Sequence, residues 1–497
     1  MTRQRDDVHS GAKWRLRGLC VLCVLCAGAL TAAVSVLSAQ QAVPDRSRPP
    51  ALGPTPVLRL PAIEKRTLSN GLPVWIMGVH RVPTVHLELA VRAGIASDPS
   101  GKFGLSSLTA DMLDEGAGSK SALEIADAID FLGAELEASG AHDVSYVGLQ
   151  VPVARLADAL AVMVDVVARP TFPDAELKRL RDERLASLLE AQDDPEQLIA
   201  FAFPRIVYGA EHRYGTQPMG TAAAITRITA ADLKAFHAAK YRPSNAALFV
   251  VGDVTAEGVM PILESGFASW KGEAAPAAPA ISSAPQLTGR HVYLIDKPGA
   301  AQSQIRIGWI GVPRSTPDYF AIRVLNTILG GSFSSRLNNN LREVHGYAYG
   351  AGSTFDMRLG AGPFYASAGV QTDKTAEALK EFFNELTRIH EPVGADELER
   401  AKNFLALLLP RTFETGGGAA NALAQTFVYS LPSDYFQTYQ DRVRAVTSAD
   451  VKRVADQYIQ PDKFAVVIVG DRKVIEPGVK GMNLGPLTVV DAAEIFK

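Results

Sequence analysis

Cysteine is almost missing from this 497-residue sequence. The three cysteines, Cys20, Cys23 and Cys26, all lie near the N-terminus, so the rest of the chain can form no disulfide, thiolate nucleophile or cysteine-ligated metal site. Histidine is also sparse: no two of the nine histidines stand three or four residues apart, so no helix presents a histidine pair to a metal. The formal net charge of −3 shows no excess of basic groups, which argues against nucleic acid as the main partner.

The N-terminus has the pattern of a targeting segment. Five basic residues between Arg3 and Arg17 precede an apolar run from Gly18 to about Leu37, and Ala39 follows as a small residue suited to cleavage. We therefore predict a signal peptide over residues 1–39 and export of the protein to a bacterial periplasm. The apolar run is long for a signal peptide, so an uncleaved membrane anchor is the alternative. Residues 40–60 are polar and rich in proline, which predicts a disordered leader.

Short patches of the first half of the chain recur in the second half. Thr229-Ala-Ala-Asp-Leu-Lys returns as Thr447-Ser-Ala-Asp-Val-Lys, and Val251-Gly-Asp returns as Val469-Gly-Asp, both 218 residues later. Two further patches repeat at nearly the same offset. Repetition at a near-constant offset predicts two similar α+β lobes, each a mostly antiparallel sheet packed with helices.

The lobes are predicted to span residues 61–270 and 290–490. Between them, residues 271–289 are rich in proline and alanine and have no hydrophobic period, which is typical of a linker. Alternation and periodicity predict the local elements. They are a hairpin turning at Asn70-Gly71, strands at Thr84–Val91, Val144–Val151 and Ala246–Val251, helices at Asp174–Glu190 and Ala223–Tyr241, and a mobile loop at Gly416–Gly418.

The stretch around Ser107 resembles a metal-binding helix that has lost its ligands. Asp98-Pro-Ser-Gly-Lys-Phe-Gly-Leu before it and Met112-Leu-Asp-Glu-Gly-Ala after it resemble the insulinase/pitrilysin metallopeptidases. That family carries His-x-x-Glu-His on this helix, with two zinc-binding histidines one turn apart and a glutamate that polarises water. The resemblance implies a two-lobed insulinase-like fold from about Glu64 to Asp471.

At the three positions of the metal motif this chain has Ser107, Ala110 and Asp111, which are poor replacements for two imidazoles and a general base. In the family, the third zinc ligand is a later glutamate that follows another glutamate by seven residues. Glu183 and Glu190 have this spacing, which places both carboxylates on one helix face. The alternative is that both are surface acids. We expect no metal in this chain.

The second lobe keeps more of the family pattern. Leu329–Leu337 and Leu341–Tyr349 resemble the substrate-side signature, and Arg342 and Tyr349 match an Arg/Tyr pair that stabilises the oxyanion there. Gly330 and Gly331 are expected to let a substrate backbone approach closely. The alternative interpretation has Arg342 in a surface ion pair with Glu343 and Tyr349 in the core.

The stretch Leu136–Tyr146 resembles the family strand that pairs with the substrate main chain. Glu137, Ala138 and Ser139 stand where those contacts are made, and an exposed strand edge binds extended peptides through backbone hydrogen bonds. The alternative is a plain entry from a loop into a strand.

These features give two functional hypotheses. In the first, the chain is the non-catalytic subunit of a heterodimeric zinc peptidase. It binds an unfolded peptide or small protein and supplies Arg342 and Tyr349, while a homologous partner with an intact motif carries the zinc. In the second, it is a non-enzymatic peptide-binding or structural assembly protein with the same fold. An autonomous zinc peptidase conflicts with Ser107, Ala110 and Asp111.

Overall fold

The computed structural model describes residues 58–272, 274 and 281–496. The predicted signal peptide or anchor, most of the predicted leader and part of the predicted linker lie outside these residues. Within the described ranges, every helix is too short or too polar to span a bilayer.

Two six-stranded sheets form the framework of the molecule. In the first sheet the strand order is β1-β2-β8-β3-β7-β6, and in the second it is β11-β12-β10-β13-β9-β14; β4 and β5 form a small separate pair. Most neighbouring strands are antiparallel. The strands are β1 Ile63–Thr67, β2 Pro73–Gly78, β3 Thr84–Val91, β4 Gly116–Ala117, β5 Lys120–Ser121, β6 Glu135–Gly140, β7 Ser145–Pro152, β8 Ala246–Gly252, β9 His291–Asp296, β10 Gln302–Ile310, β11 Ala348–Phe355, β12 Pro363–Gln371, β13 Ala465–Gly470 and β14 Leu487–Val490.

Helices cover both sheets. The α-helices of the first half are Leu105–Asp111, Ala122–Phe131, Leu156–Ala168, Asp174–Asp193, Pro195–Tyr208, Ala222–Arg227, Ala230–Lys240 and Ala256–Phe267. Those of the second half are Tyr319–Leu329, Arg336–Asn338, Thr375–Arg388, Ala395–Thr412, Gly416–Val428, Tyr435–Ala445, Ser448–Tyr458, Arg472–Gly481 and Ala492–Ile495, with a π-helix at Asn339–Val344. Single 3-10 turns lie at Ile95–Ser97, Val153–Arg155, Arg213–Gly215, Pro243–Asn245, Thr372–Lys374 and Pro461–Lys463.

The two sheets repeat each other, which confirms the predicted α+β fold with two similar lobes. Strands β2, β8, β3, β7 and β6 follow one another across the first sheet as β9, β13, β10, β12 and β11 do across the second. The sixth strand differs in origin. The first sheet adds β1, which precedes β2 and pairs antiparallel, whereas the second adds β14, which comes at the end of the chain and pairs parallel with β9.

Each lobe sends one helix onto the sheet of the other lobe. Helix Pro195–Tyr208 packs on β10 and β13 of the second sheet. Helix Gly416–Val428 begins 221 residues later, close to the offset of the sequence repeat, and packs on β3 and β8 of the first sheet. We call these two the exchanged helices. Their mutual exchange ties the lobes together through buried apolar contacts.

The exchange explains why the two central strands β8 and β13 are apolar at nearly every residue. In β8, Leu248 and Val250 face the core of their own lobe, while Phe249 and Val251 face the exchanged helix Gly416–Val428. Strand β13 is divided in the same way between its own lobe and helix Pro195–Tyr208. A strand that is covered on both faces has a continuous run of hydrophobic residues, not an alternating pattern of apolar and polar residues.

Two local predictions were wrong. The segment predicted as one helix at Ala223–Tyr241 is two helices, because Thr229 starts a new helix through a capping box with Asp232. The predicted mobile loop at Gly416–Gly418 is the first turn of an exchanged helix, capped by the Thr415 hydroxyl. The glycines let this turn lie close to His86, since a Cβ on Gly416 would lie 3.2 Å from the His86 Cβ.

The lobes also meet where two equivalent hairpins touch. The buried Asp143, in the β6–β7 turn, accepts a hydrogen bond from the Leu359 backbone N–H in the β11–β12 turn at 2.8 Å. It accepts a second from the Tyr214 hydroxyl at 2.7 Å, and that hydroxyl accepts one from the Gly360 N–H at 3.0 Å. This network gives the interface a fixed register in addition to its apolar area.

Acid is expected to weaken this interface through His142. Burial of the His142 ring beside Arg358 lowers its pKa from 6.5 to about 3. The unfolded chain therefore binds a proton at this residue between pH 6.5 and 3 that the folded chain does not, and stability falls as the pH drops through that window. The free energy of unfolding, measured by urea titration at several pH values, should depend less on pH in His142→Gln. The exposed His80 provides the control His80→Gln; equal slopes for wild type and His142→Gln would contradict the assignment.

Candidate functional site

Helix Leu105–Asp111 is held at its N-terminus by a buried carboxylate. Asp98 accepts hydrogen bonds from the backbone N–H groups of Gly104 at 2.7 Å and Ser106 at 2.8 Å, which have no partner inside the helix. Burial raises the pKa of Asp98 to about 7. Gly104 adopts a left-handed conformation with φ of 100°, where a side chain would also collide with the backbone of Met219. These contacts fix the helix that carries the degenerate metal motif.

A guanidinium group lies between the two polar side chains of that motif. Arg184, from helix Asp174–Asp193, donates from Nη1 to the Ser107 hydroxyl at 3.1 Å and from Nη2 to the Asp111 carboxylate at 2.5 Å. The same Nη1 lies 3.3 Å from the carbonyl oxygen of Met219. Ser107 in turn donates to the Pro218 carbonyl. Arg184 is 8% exposed, so this is a buried, hydrogen-bonded cation.

These residues do not fit a zinc ion. A guanidinium only donates hydrogen bonds and cannot ligate a metal, and it uses the Ser107 and Asp111 oxygens that a metal would need. Ala110 is fully buried and brings no proton acceptor. In the part of the chain that the structure describes, no three His, Cys, Asp or Glu side chains form a group able to hold a metal ion.

Glu183 and Glu190 lie on the outside of helix Asp174–Asp193. The Glu183 side chain is 56% exposed and paired with Arg179, and Glu190 is also exposed. The side chain that this helix turns toward Ser107 is Arg184. Four cations, Lys178, Arg179, Arg181 and Arg184, crowd this helix, and the sequence pattern did not indicate which one is buried.

Strand β6 lies at the edge of the first sheet and ends against the Ser107 helix. Glu137 and Ser139 are exposed on it and Ala138 is half-buried, and β6 pairs along one side with β7. Its last residue, Gly140, is pressed on that helix: a Cβ there would lie 2.6 Å from the Ser107 Cα. The three residues that the sequence singled out for peptide contacts are thus on an edge strand beside the degenerate centre.

Arg342 and Tyr349 lie side by side on the second lobe. The guanidinium carbon of Arg342 is 5.1 Å from the Tyr349 ring centroid and 4.7 Å from that of Phe333. Arg342 also pairs with Glu343 at 3.3 Å. Tyr349 is 86% exposed and therefore does not belong to the core, and Phe333 and Val344 are 67% and 66% exposed. We call Phe333, Arg342, Val344 and Tyr349 the Arg342 patch.

Two backbone irregularities present the Arg342 patch. Arg342 lies in the π-helix Asn339–Val344, a form that concentrates at functional sites. Tyr349 lies at a register shift between Ala348 and Ala351 in the edge strand β11, and such bulges redirect side chains. The backbone that approaches Gly330 is that of β11, since a Cβ on Gly330 would lie 2.1 Å from the Ser353 nitrogen. A Cβ on Gly331 would lie 2.7 Å from the side-chain nitrogen of Asn326.

Comparison with known proteins assigns the family. The model of insulinase (peptidase family M16) matches residues 78–214, and that of the peptidase M16 inactive domain matches residues 227–405. An uncharacterized zinc protease of Rickettsia bellii is 24% identical over 407 residues, covering 81% of this chain and 96% of that protein. One of Mycobacterium leprae is 27% identical over 318 residues, covering 64% of this chain and 71% of that protein.

Solved structures agree with this assignment. The crystal structure of a peptidase M16 inactive domain from Pseudomonas fluorescens is 26% identical, with a TM-score of 0.76 over 82% of this chain and 98% of that one. A protease from Helicobacter pylori, 23% identical, shares the fold with a TM-score of 0.77 over 82% of this chain and all of that one. The two-lobed fold with its degenerate helix defines a metallopeptidase-like protein of the inactive type. The chain belongs to the insulinase family, peptidase family M16.

Proposed function

We propose that this protein is the exported, non-catalytic subunit of a two-chain zinc peptidase, in which a homologous partner with an intact His-x-x-Glu-His motif carries the zinc. The observation that carries the proposal is an asymmetry between the lobes. In the first lobe, Arg184 lies between Ser107 and Asp111 of the degenerate motif. In the second lobe, the half-buried Arg342 lies beside the exposed Tyr349. The N-terminal pattern of residues 1–39 supports export to the periplasm.

The edge strand β6 is the proposed binding site for an extended substrate. A peptide adding to β6 would bond to its free backbone edge, with Glu137, Ala138 and Ser139 alongside it. Binding by strand addition recognises an extended backbone more than particular side chains, which suits an unfolded peptide or small protein. The sequence has a formal net charge of −3, which does not favour nucleic acid as a partner.

The Arg342 patch is the proposed contribution to catalysis. A guanidinium and a phenol are hydrogen-bond donors that can be aimed at the developing charge of an oxyanion. These two donors can act only on a carbonyl that is under attack by water. Ser107, Ala110 and Asp111 offer no means of activating that water in this chain. The exposed aromatic and apolar side chains around Arg342 favour burial against another chain.

Co-expression tests the division of labour. The isolated protein is expected not to cleave a quenched fluorescent extended peptide, and addition of a homologue from the same organism with an intact zinc motif is expected to produce cleavage. The partner alone is the control and should be much less active than the pair. If the chain binds the peptide but never increases turnover with any such homologue, the protein is a binding or assembly subunit instead.

A further inference from the structure

A polar cavity of about 470 Å³ lies between the lobes and plays no part in the proposed peptidase function. It is bounded by the β6–β7 and β11–β12 hairpins and by the adjoining ends of helices Tyr319–Leu329 and Gly416–Val428. Three arginines line it: Arg314, Arg323 and Arg358. The acids on its wall are Asp143 and Asp356, and the Asp356 side chain is 41% exposed, so the cavity reaches solvent.

The positive charge of this cavity is only partly neutralised. Arg358 is 6% exposed and pairs with Asp356 through Nε at 2.9 Å. Its Nη1 is also buried but has no hydrogen-bond partner. Within the described residues, neither Arg314 nor Arg323 has a carboxylate within ion-pair distance. Arg314 is 9% exposed and donates to the Tyr435 hydroxyl at 2.8 Å, and the Nε of Arg323 is buried without a partner.

Buried cations of this kind need an anion. Arg314 makes a cation–π contact, since its guanidinium carbon lies 3.5 Å from the Tyr319 ring centroid. A neutral ring stabilises a buried positive charge less than an ionised oxygen does. Arg323 and Arg358 each have one guanidinium nitrogen without a partner, and such N–H groups can donate to the oxygens of a carboxylate or phosphate. Three arginines against two aspartates leave a formal surplus of one positive charge, which suits a monoanion.

The walls indicate that the anion is organic. The aromatic side chains of Tyr146, Tyr319, Phe355, Tyr365 and Tyr429 line the cavity beside the arginines. A volume of this size accepts a small ligand with an apolar body and one charged end. We propose that the interlobe cavity binds an organic carboxylate, either a free small molecule or the C-terminus of a peptide, held by Arg314, Arg323 and the free Nη1 of Arg358.

The test uses the full mature chain and four probes in calorimetry and thermal unfolding. Benzoylglycine and an acetylated pentapeptide with a free C-terminus carry the carboxylate; the pentapeptide C-terminal amide lacks it, and inorganic phosphate replaces it. At least one carboxylate probe is expected to bind and to raise Tm with concentration, and the amide is not. Binding of benzoylglycine indicates a free metabolite, whereas binding of the pentapeptide alone indicates a peptide terminus. Binding of phosphate only, or of no probe, would overturn the proposal.

Variants separate binding from folding. Arg323→Met should weaken carboxylate binding at least about tenfold. Tm of the free protein should change little, because the variant removes a buried charge without a carboxylate partner but also a hydrogen bond with Tyr439. Arg314→Lys is a second variant that keeps the positive charge but loses the planar guanidinium group with its several N–H donors. It should also weaken carboxylate binding. Arg442→Met is the matched control, since this exposed arginine stacks on Phe320 outside the cavity wall. Unchanged carboxylate affinity in both Arg323→Met and Arg314→Lys would refute the site.

Discussion

Replacing Arg342 by alanine is expected to lower kcat/KM of the assembled two-chain peptidase by about 10²–10³-fold, the usual loss when one oxyanion donor is removed. The reason is the position of the guanidinium: it lies half-buried beside the exposed Tyr349, with the Glu343 carboxylate as its ion-pair partner. Steady-state kinetics on an extended peptide measures the loss. It should fall mainly on kcat, because the donor acts on charge that develops in the transition state.

The control for Arg342 is another arginine of the second lobe that stacks on an aromatic ring. Arg442 is exposed and stacks on Phe320, with 5.6 Å from its guanidinium carbon to the ring centroid. Arg442→Ala should leave kcat/KM unchanged. Gel filtration of the pair must show that Arg342→Ala still assembles. An assembled Arg342→Ala pair with the wild-type rate would remove the shared-site hypothesis.

Asp111→Ala is expected to destabilise the fold by about 2–3 kcal/mol, since it leaves the buried Arg184 cation without its carboxylate. The Arg184 side chain is 9% exposed and that of Asp111 is 38% exposed, so part of the lost interaction is screened by water. The free energy of unfolding from urea titration measures the effect. It is large because Arg184 cannot turn outward without leaving Ser107 and the carbonyl oxygens of Gly104 and Met219.

A double variant tests whether the pair acts as a unit. Arg184→Met with Asp111→Ala should be more stable than Asp111→Ala alone, because the unpaired buried charge is then gone. On the same helix, Asp182 pairs with Lys178 and both side chains are more than half exposed, so Asp182→Ala should change stability by about 0.5 kcal/mol or less. Equal stability of the single Asp111 variant and wild type would mean that Arg184 draws no support from Asp111.

Sequence patterns predicted those elements whose signal is local. Alternation gave β3 with the bounds that the structure has, Thr84–Val91, and the Asn70-Gly71 turn joins β1 to β2. The single helix predicted at Ala223–Tyr241 failed although Thr229 and Asp232 have the spacing of a capping box, because apolar periodicity continued across the break. The parallel strand β14 was not predicted at all, since its partner β9 lies almost 200 residues earlier in the chain.

The site was predictable in its residue types and less so in its geometry. The loss of both histidines at Ser107 and Asp111 is plain in the sequence, and so is the spacing of Arg342 and Tyr349. The role of Arg184 could not be read from a helix with several cations, because burial there depends on helix Leu105–Asp111, more than 70 residues earlier. The exposure of Tyr349 depends on a bulge that has no clear signature in sequence.

The exchanged helices bear on how a duplicated chain of this kind could arise. Helix Pro195–Tyr208 covers the face of the second sheet that points away from the core of its own lobe, and helix Gly416–Val428 covers the equivalent face of the first. A solitary half would leave one face of its central strand open to water. A half-length chain would therefore need a second copy to supply the exchanged helix, as in a domain-swapped homodimer, and the duplicated chain holds both halves in one polypeptide. By the same logic, the halves of this protein expressed as separate fragments should be insoluble individually and recover solubility when produced together.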